Sequence, residues 1–132
     1  MAKSPLPGVA ALAAATLFPA AASADAPAQA PFIHHVYFWL NNPDSAEDKA
    51  KLVAGLRKMT GIATIKSWQI GQPAGTPRDV VDNSYQVSWT VSFASAADQD
   101  AYQVDPVHLQ FVKDNASLWR KVVVYDTVPA AE

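Results

Sequence analysis

The chain contains no cysteine among its 132 residues. This absence excludes disulfide bonds, thiolate nucleophiles and every zinc or iron–sulfur site that depends on cysteine ligands. Histidine and carboxylate side chains are therefore the only strong metal ligands in the sequence.

The chain also lacks a large excess of charge and a long hydrophobic run. Lys and Arg number 10 against 12 Asp and Glu, a formal net charge of −2. Because no excess of basic residues is available to neutralise phosphates, the composition argues against nucleic-acid binding. The apolar stretch Val9 to Phe18 is too short to span a bilayer, and Pro19 interrupts it.

The first thirty residues differ in composition from the rest of the chain. Lys3 precedes the short apolar stretch, and Ala22-Ser23-Ala24 fits the small-residue pattern of a cleavage site. We therefore predict a bacterial-type signal peptide over residues 1–24, a linker over 25–31, and a secreted or periplasmic protein without stable membrane association after cleavage. The alternatives are a disordered Ala-rich tail or an uncleaved anchor.

Residues 32–128 are predicted to form one domain. The hydrophobic patterns predict strands at 32–40, 64–70, 84–93 and 119–125, and helices that begin after Ser45 and Ser95, the second being interrupted at Asp105-Pro106 and continuing to about Leu118. The order β-α-β-β-α-β is typical of a ferredoxin-like α+β fold, an antiparallel sheet with both helices on one face.

Both faces of this sheet are apolar, which two helices cannot bury. On the first strand one face carries Val36, Phe38 and Leu40, and the other carries Ile33, His35, Tyr37 and Trp39. An uncovered aromatic face on so small a domain indicates an interaction site. We therefore predict a homodimer in which two sheets face one another as a dimeric α+β barrel with a cavity between them.

Four segments resemble the stress-responsive A/B barrel (Dabb) family and together span nearly all of this domain. They are HHVYFWL at 34–40, SYQVSWTVSF at 84–93, YQVDPVHLQF at 102–111 and WRKVVVYD at 119–126. The most specific feature is the spacing of Tyr102, Pro106, His108 and Phe111, which is similar to the family signature Y-x-x-x-P-x-H-x-x-F. The resemblance implies a dimeric α+β barrel.

The resemblance also implies site residues, although activities within the family diverge. In a plant polyketide cyclase of the family, the tyrosine and histidine of the signature are catalytic, and they correspond to Tyr102 and His108. His35 and Trp119 match other pocket-lining positions. The chain departs from that enzyme at Trp89, where the enzyme has a smaller side chain, so a shared substrate is not expected.

His108 and Tyr102 are the candidate catalytic pair. Asp105-Pro106 places His108 in the first turn of a helix, where the helix dipole disfavours imidazolium. A neutral imidazole suits a general base, and Tyr102 would orient it or stabilise a developing enolate. The alternative is a half-buried structural histidine beside a packing tyrosine.

The adjacent His34 and His35 cannot bind one metal ion, because neighbouring strand residues point to opposite faces. We predict that His35 faces the cavity, whereas His34 is a structural histidine that faces the helices or the strand end. Asp79 and Asp82 are expected to solvate a loop, with a weak cation site as the alternative. No transition-metal spacing or phosphate-binding loop is present, and we predict no cofactor.

Three functions are compatible with these residues. The first is the binding of a small apolar or phenolic ligand in an aromatic cavity. The second is a cofactor-free cyclase or isomerase in which His108 is the base, Tyr102 is its hydrogen-bonding partner and His35 assists. The third is a structural, stress-linked oligomer without a ligand. The predicted ligand-binding residues are His35, Tyr37, Trp39, Trp89 and Trp119, together with Tyr102.

Overall fold

A computed structural model of the chain describes residues 31–132, together with 2–5 and 8. Most of the predicted signal peptide and the linker residues 25–30 lie outside the described residues. Within the described ranges, none of the helices combines the length and apolar character needed to cross a membrane.

The domain has four strands and three α-helices. They are β1 (Phe32–Leu40), α1 (Ala46–Met59), β2 (Ser67–Gly71), β3 (Val87–Phe93), α2 (Ala96–Gln103), α3 (Pro106–Asn115) and β4 (Trp119–Thr127), with a 3₁₀ turn at Ala116–Leu118. The sheet order is β2-β3-β1-β4, and each neighbouring pair is antiparallel. This arrangement confirms the predicted ferredoxin-like α+β fold.

The helices begin where side-chain caps are available. The hydroxyl oxygens of Ser45 and Ser95 each accept a hydrogen bond from the backbone N–H three residues later. Asp105 caps α3 by accepting from the N–H of Val107, and Pro106 occupies the first turn. The break between α2 and α3 is thus fixed locally, and it sets the position of His108.

Two strand starts differ from the prediction. β2 begins at Ser67, because Ile65 donates its backbone N–H to Ile62 and keeps the preceding residues in a turn. β3 begins at Val87, and the ring of Tyr85 packs 4.9 Å from that of Tyr37 instead of continuing the strand alternation. Tyr85 therefore lies on the face of the sheet opposite the helices.

The strand register separates the sheet into two faces. Val36 lies opposite Trp89 on β3 and Val124 on β4, so these three side chains share the face that the helices cover. The core lies between this face and the helices, and its fully buried members are Leu40, Leu52, Leu56, Met59, Val87, Trp89, Val91, Phe93 and Tyr102. We call the other side the outer face; it carries Ile33, His35, Tyr37, Trp39, Val123 and Tyr125.

Candidate functional site

A cavity of about 230 Å³ lies between the helix-covered face of the sheet and helices α2 and α3. We call it the sheet–helix cavity. Most of its lining is apolar or aromatic, and three titratable side chains converge on it. The lining residues are His34, Val36, Phe38, Met59, Trp89, Tyr102, Gln103, His108, Phe111, Val112, Trp119, Val122 and Val124.

His34 enters this cavity from β1 and is held by β4. Its Nδ1 atom lies 2.5 Å from Oδ1 of Asp126, the residue directly opposite it in the register. Because a carboxylate accepts hydrogen bonds, Nδ1 is the protonated nitrogen, and Nε2 carries the lone pair when the ring is neutral. His34 is 6% exposed, whereas the side chain of Asp126 is 42% exposed. The pair is a histidine–carboxylate dyad whose carboxylate faces solvent.

His108 is the third residue of α3, and the backbone fixes its tautomer. Its Nδ1 lies 3.0 Å from the carbonyl oxygen of Gln103, which can only accept, so the proton is on Nδ1. Burial lowers the pKa of His108 below the ordinary value for histidine, and the nearby His34 acts in the same direction. The hydrogen bond to Gln103 and the charge of Asp105 oppose this shift without cancelling it. The favoured state near neutral pH is a neutral imidazole with its lone pair on Nε2.

Tyr102 lies between the two histidines. Its ring centroid is 5.8 Å from that of His34 and 4.7 Å from that of His108. The hydroxyl accepts a hydrogen bond from Nε1 of Trp89 at 2.9 Å and donates to Sδ of Met59 at 3.9 Å. Burial raises the pKa of Tyr102 to about 12, although the bond from Trp89 acts in the opposite direction. Tyr102 thus contacts His108 through its ring and does not orient it by a hydrogen bond.

Aromatic rings close one end of the cavity. The ring of Trp119 lies 5.0 Å from that of Phe38 and stacks on Phe111 at 5.9 Å. Trp89 stacks on Trp68 at 6.4 Å on the side of β2. These rings give the cavity flat apolar walls of the kind that hold planar ligands.

The cavity is open toward β4. Val122 and Val124 line it and face the helices, yet they are 43% and 46% exposed. β4 is an edge strand, and α3 packs mainly against α1, so the helices leave this edge uncovered. A small molecule therefore has a route into the cavity beside β4.

His35, Tyr37 and Trp39 lie on the outer face and are remote from this cavity. Trp39 donates its indole N–H to Oγ of Ser84, and Nζ of Lys121 lies over its ring at 4.6 Å. The prediction that these three side chains share one cavity with Trp89, Tyr102 and Trp119 is therefore wrong. The strand alternation sends the two groups to opposite sides of the sheet.

Tyr102 and His108 border a space between the sheet and the helices of a single subunit, on the opposite side of the sheet from the face where two sheets would meet. His34 was predicted to be a structural histidine that faces the helices or the strand end; it faces the helices, is hydrogen-bonded, and also lines the cavity.

Asp126 is a site residue that the sequence pattern did not identify, because it lies just beyond the predicted fourth strand. The predicted strand order places the fourth strand beside the first in antiparallel register. Counting inward from Leu40 opposite Trp119 would bring Tyr125 opposite His34, and the register shift between Trp39 and Leu40 moves the partner to Asp126. His34 also shares its face with Val36 and Phe38, as the alternation along the first strand requires.

A larger groove of about 640 Å³ lies between α1 and α3 on the outer surface of the helix layer. Gly55 permits this close helix approach, since a Cβ atom there would lie 2.7 Å from Nδ2 of Asn115. Lys51 and Lys58 border the groove, and no histidine or tyrosine lines it. The titratable groups of interest therefore belong to the smaller cavity. In the part of the chain that the structure describes, no group of three or more metal-ligating side chains is present.

Comparisons with known proteins agree with the fold. Residues 33–129 match the family model described as Stress responsive A/B Barrel Domain. A search of curated protein sequences gives no match. Among solved structures, the chain is similar to a Dabb family protein with a ferredoxin-like fold from Mesorhizobium loti. The two share 20% identity over 76% of this chain and 97% of that chain, with a TM-score of 0.64.

Two further structures are similar in fold. The hydroxynitrile lyase of Passiflora edulis shares 20% identity over 79% of this chain and 98% of its own, with a TM-score of 0.65. A dimeric ferredoxin-like protein of unknown function from Thermobifida fusca shares 17% identity over 74% of this chain and 90% of its own, with a TM-score of 0.62.

Proposed function

Since the chain belongs to the stress responsive A/B barrel domain family, we propose that it binds a small apolar or phenolic molecule in the sheet–helix cavity. The observation that carries this proposal is the convergence of His34, Tyr102 and His108 on an otherwise apolar, aromatic-walled cavity. Apolar walls with a few convergent polar groups are typical of small-molecule sites.

The size of the cavity limits the ligand. Sites for drug-sized molecules range from about 300 to 1,000 Å³, and this cavity has about 230 Å³. The ligand is therefore a compact molecule, such as a single substituted ring. A long polyketide chain would extend through the open side beside β4.

We further propose that a second copy of the chain covers the outer face. In one subunit, Tyr37, Tyr85 and Tyr125 form an aromatic cluster on this face, and Tyr125 is 61% exposed. The Thermobifida fusca protein and a Bacteroides fragilis protein of the same fold are dimeric, which supports the proposal by analogy. The sheet–helix cavity is complete within one subunit, so ligand binding does not depend on this contact.

The tryptophan side chains on the two sides of the sheet provide a direct test of ligand binding. Trp89 and Trp119 line the cavity, whereas Trp39 lies on the outer face and is an internal control. We expect phenol or 4-methylphenol to shift the indole N–H resonances of Trp89 and Trp119 in a saturable manner and to leave that of Trp39 unchanged. Shifts confined to Trp39, or no saturable shift of any indole, would contradict the proposal and favour a structural oligomer.

A second candidate function is cofactor-free proton-transfer catalysis. The favouring observation is that the Nδ1 atoms of both His34 and His108 are engaged by acceptors, which leaves two Nε2 lone pairs as bases. His108 is the better base candidate, because burial keeps it neutral. His35 has no part in this mechanism, since it lies on the outer face. The Passiflora edulis hydroxynitrile lyase has a similar fold and is an enzyme. It is therefore a precedent for catalysis on this fold, and the analogy extends no further than the fold.

An aromatic hydroxynitrile is a suitable probe for this activity. A base would remove the hydroxyl proton, the carbon–carbon bond to the nitrile would break, and cyanide would leave with the bonding electrons as the carbonyl forms. If His108 is the base, His108→Gln should slow cyanide release by about 10² to 10⁴-fold. An unchanged rate in that variant, or no acceleration by the unmodified protein over buffer, contradicts the enzymatic candidate and leaves the binding proposal intact.

We also propose export of the protein through its first 24 residues. The support is the sequence pattern of residues 1–24. Expression in a Gram-negative host should place a protein that starts at Asp25 in the periplasmic fraction, and mass spectrometry of the product measures its start. A full-length cytoplasmic product would contradict export.

A further inference from the structure

The two histidines of the sheet–helix cavity have the same hydrogen-bonding state. Nδ1 of His34 donates to the carboxylate of Asp126, and Nδ1 of His108 donates to the carbonyl of Gln103. When an imidazole with a protonated Nδ1 is neutral, its Nε2 is unprotonated and accepts a hydrogen bond. The cavity thus holds two hydrogen-bond acceptors of the same kind.

Both histidines line the cavity, and their Nε2 atoms are the candidate acceptors for a ligand. Among residues 31–132, neither atom has a hydrogen-bonding partner. Among these residues, the buried side-chain polar atom without a partner is Oγ1 of Thr64, so neither Nε2 atom is both unpaired and sealed from solvent. For His34, which is 6% exposed, the cavity is the space from which this access comes.

Most other polar groups of the lining are already hydrogen-bonded within the protein. The N–H of Trp89 is donated to the hydroxyl of Tyr102, which donates in turn to Met59. Two donors remain. One is the side-chain amide of Gln103, which is exposed, and the other is the indole N–H of Trp119, which is half-exposed. No lysine or arginine lines the cavity. An anion would therefore lose its hydration without gaining a cationic partner, which is costly.

From this arrangement we infer that the ligand is uncharged and offers two hydrogen-bond donors, one to each histidine, on a compact apolar frame. A dihydroxylated single ring fits this description, and a monocarboxylate of the same size does not. The inference rests on the proposed ligand-binding function and specifies the chemistry of that same site.

A matched series of single-ring compounds tests the inference. Toluene, phenol, the three benzenediols and benzoate have similar sizes and differ in donors and charge. The titrations are run at pH 8, about 1.5 units above the ordinary pKa of histidine. One neutral hydrogen bond contributes a factor of roughly 2 to 10 in affinity. We expect phenol to bind more tightly than toluene by that factor. The best benzenediol should bind more tightly than phenol by a similar factor.

The outcomes separate this inference from the proposed function. If toluene binds as tightly as the benzenediols, or if benzoate binds best, the inference is overturned while ligand binding stands. If no compound in the series binds, both fail. The series is measured first on the unmodified protein, so the result does not depend on any variant folding.

Variants assign the two acceptors. His34→Leu and His108→Leu each remove one Nε2 acceptor. Each variant should lower the ratio of benzenediol affinity to toluene affinity by a factor of roughly 2 to 10, the contribution of one hydrogen bond. His35→Leu is the matched control, since the neighbouring histidine lies on the outer face, and it should leave the ratio unchanged. A ratio that falls only in His35→Leu would overturn the assignment.

Discussion

Nδ1 of His34 and Oδ1 of Asp126 lie 2.5 Å apart, although 92 positions separate the two residues in the chain. The pairing of β1 with β4 brings them together at one end of the sheet. It fixes the orientation of a buried imidazole that borders the cavity, because the carboxylate accepts from only one ring nitrogen. The sheet topology therefore determines which nitrogen a ligand meets.

Removing the carboxylate should destabilise the protein. Asp126→Ala leaves the buried Nδ1–H of His34 without its acceptor, and such a loss costs about 1 to 3 kcal/mol. Chemical denaturation measures the change in the free energy of unfolding. The control is a double-mutant cycle with His34→Phe, in which Asp126→Ala should cost much less. Equal costs in both backgrounds would show that the pair does not couple.

The imidazole of His108 should titrate below the ordinary histidine range. Burial lowers its native pKa, so the folded state favours the neutral ring. The stability it contributes is present above the unfolded pKa near 6.5 and is lost as the pH falls through the lower native pKa. Side-chain NMR should give a midpoint below 6.5 for the signal that disappears in His108→Gln. A midpoint at or above that value would contradict the burial of this ring.

Tyr102 should make the protein sensitive to alkali. Burial raises its native pKa to about 12, from an ordinary value of 10.0 for tyrosine. The folded state thus holds the phenolic proton more tightly, so stability should fall as the pH rises from about 10 to 12, by at most about 3 kcal/mol. In Tyr102→Phe, the free energy of unfolding should decrease less over the same pH range, because no phenolic proton is present at this position. Tyr125→Phe, on the outer face, is the control and should retain it.

A charge on the outer face should separate the subunits without affecting the cavity. Tyr125→Lys places two cations near one another if two outer faces meet, and burial of an unpaired charge opposes association. We expect sedimentation to give the mass of two chains for the unmodified protein and of one chain for this variant. Val80→Lys, at a loop position that is 90% exposed, should remain dimeric. A single-chain mass for the unmodified protein at micromolar concentration would contradict the dimer.

Much of the fold followed from local patterns in the sequence. The alternation around Val87 and Trp89, the caps at Ser45 and Ser95, and the Asp105-Pro106 break each predicted an element that the structure contains. These features depend on residues close together in the chain, and so the sequence alone specifies them.

The site was less predictable, because it depends on which face each strand presents. His34 and His35 are adjacent, and the sequence correctly indicated that they point in opposite directions. The predicted cavity was on the side of His35, whereas the sheet–helix cavity lies on the side of His34. Only the positions of α2 and α3 place Tyr102 and His108 above the face that carries His34. Trp89 and Trp39 were likewise grouped as aromatic residues, and the cross-strand register separates them.

The proposed ligand site lies between the sheet and the helices of one subunit. Val124 and Val123 are neighbours on β4, with Val124 in the cavity and Val123 on the outer face. Calorimetric titration with phenol or a benzenediol should show that Val124→Phe weakens binding at least about tenfold, because the added ring occupies the cavity. Val123→Phe should bind as the unmodified protein does. Loss of binding in Val123→Phe with full binding in Val124→Phe would place the ligand on the other side of the sheet and contradict the account.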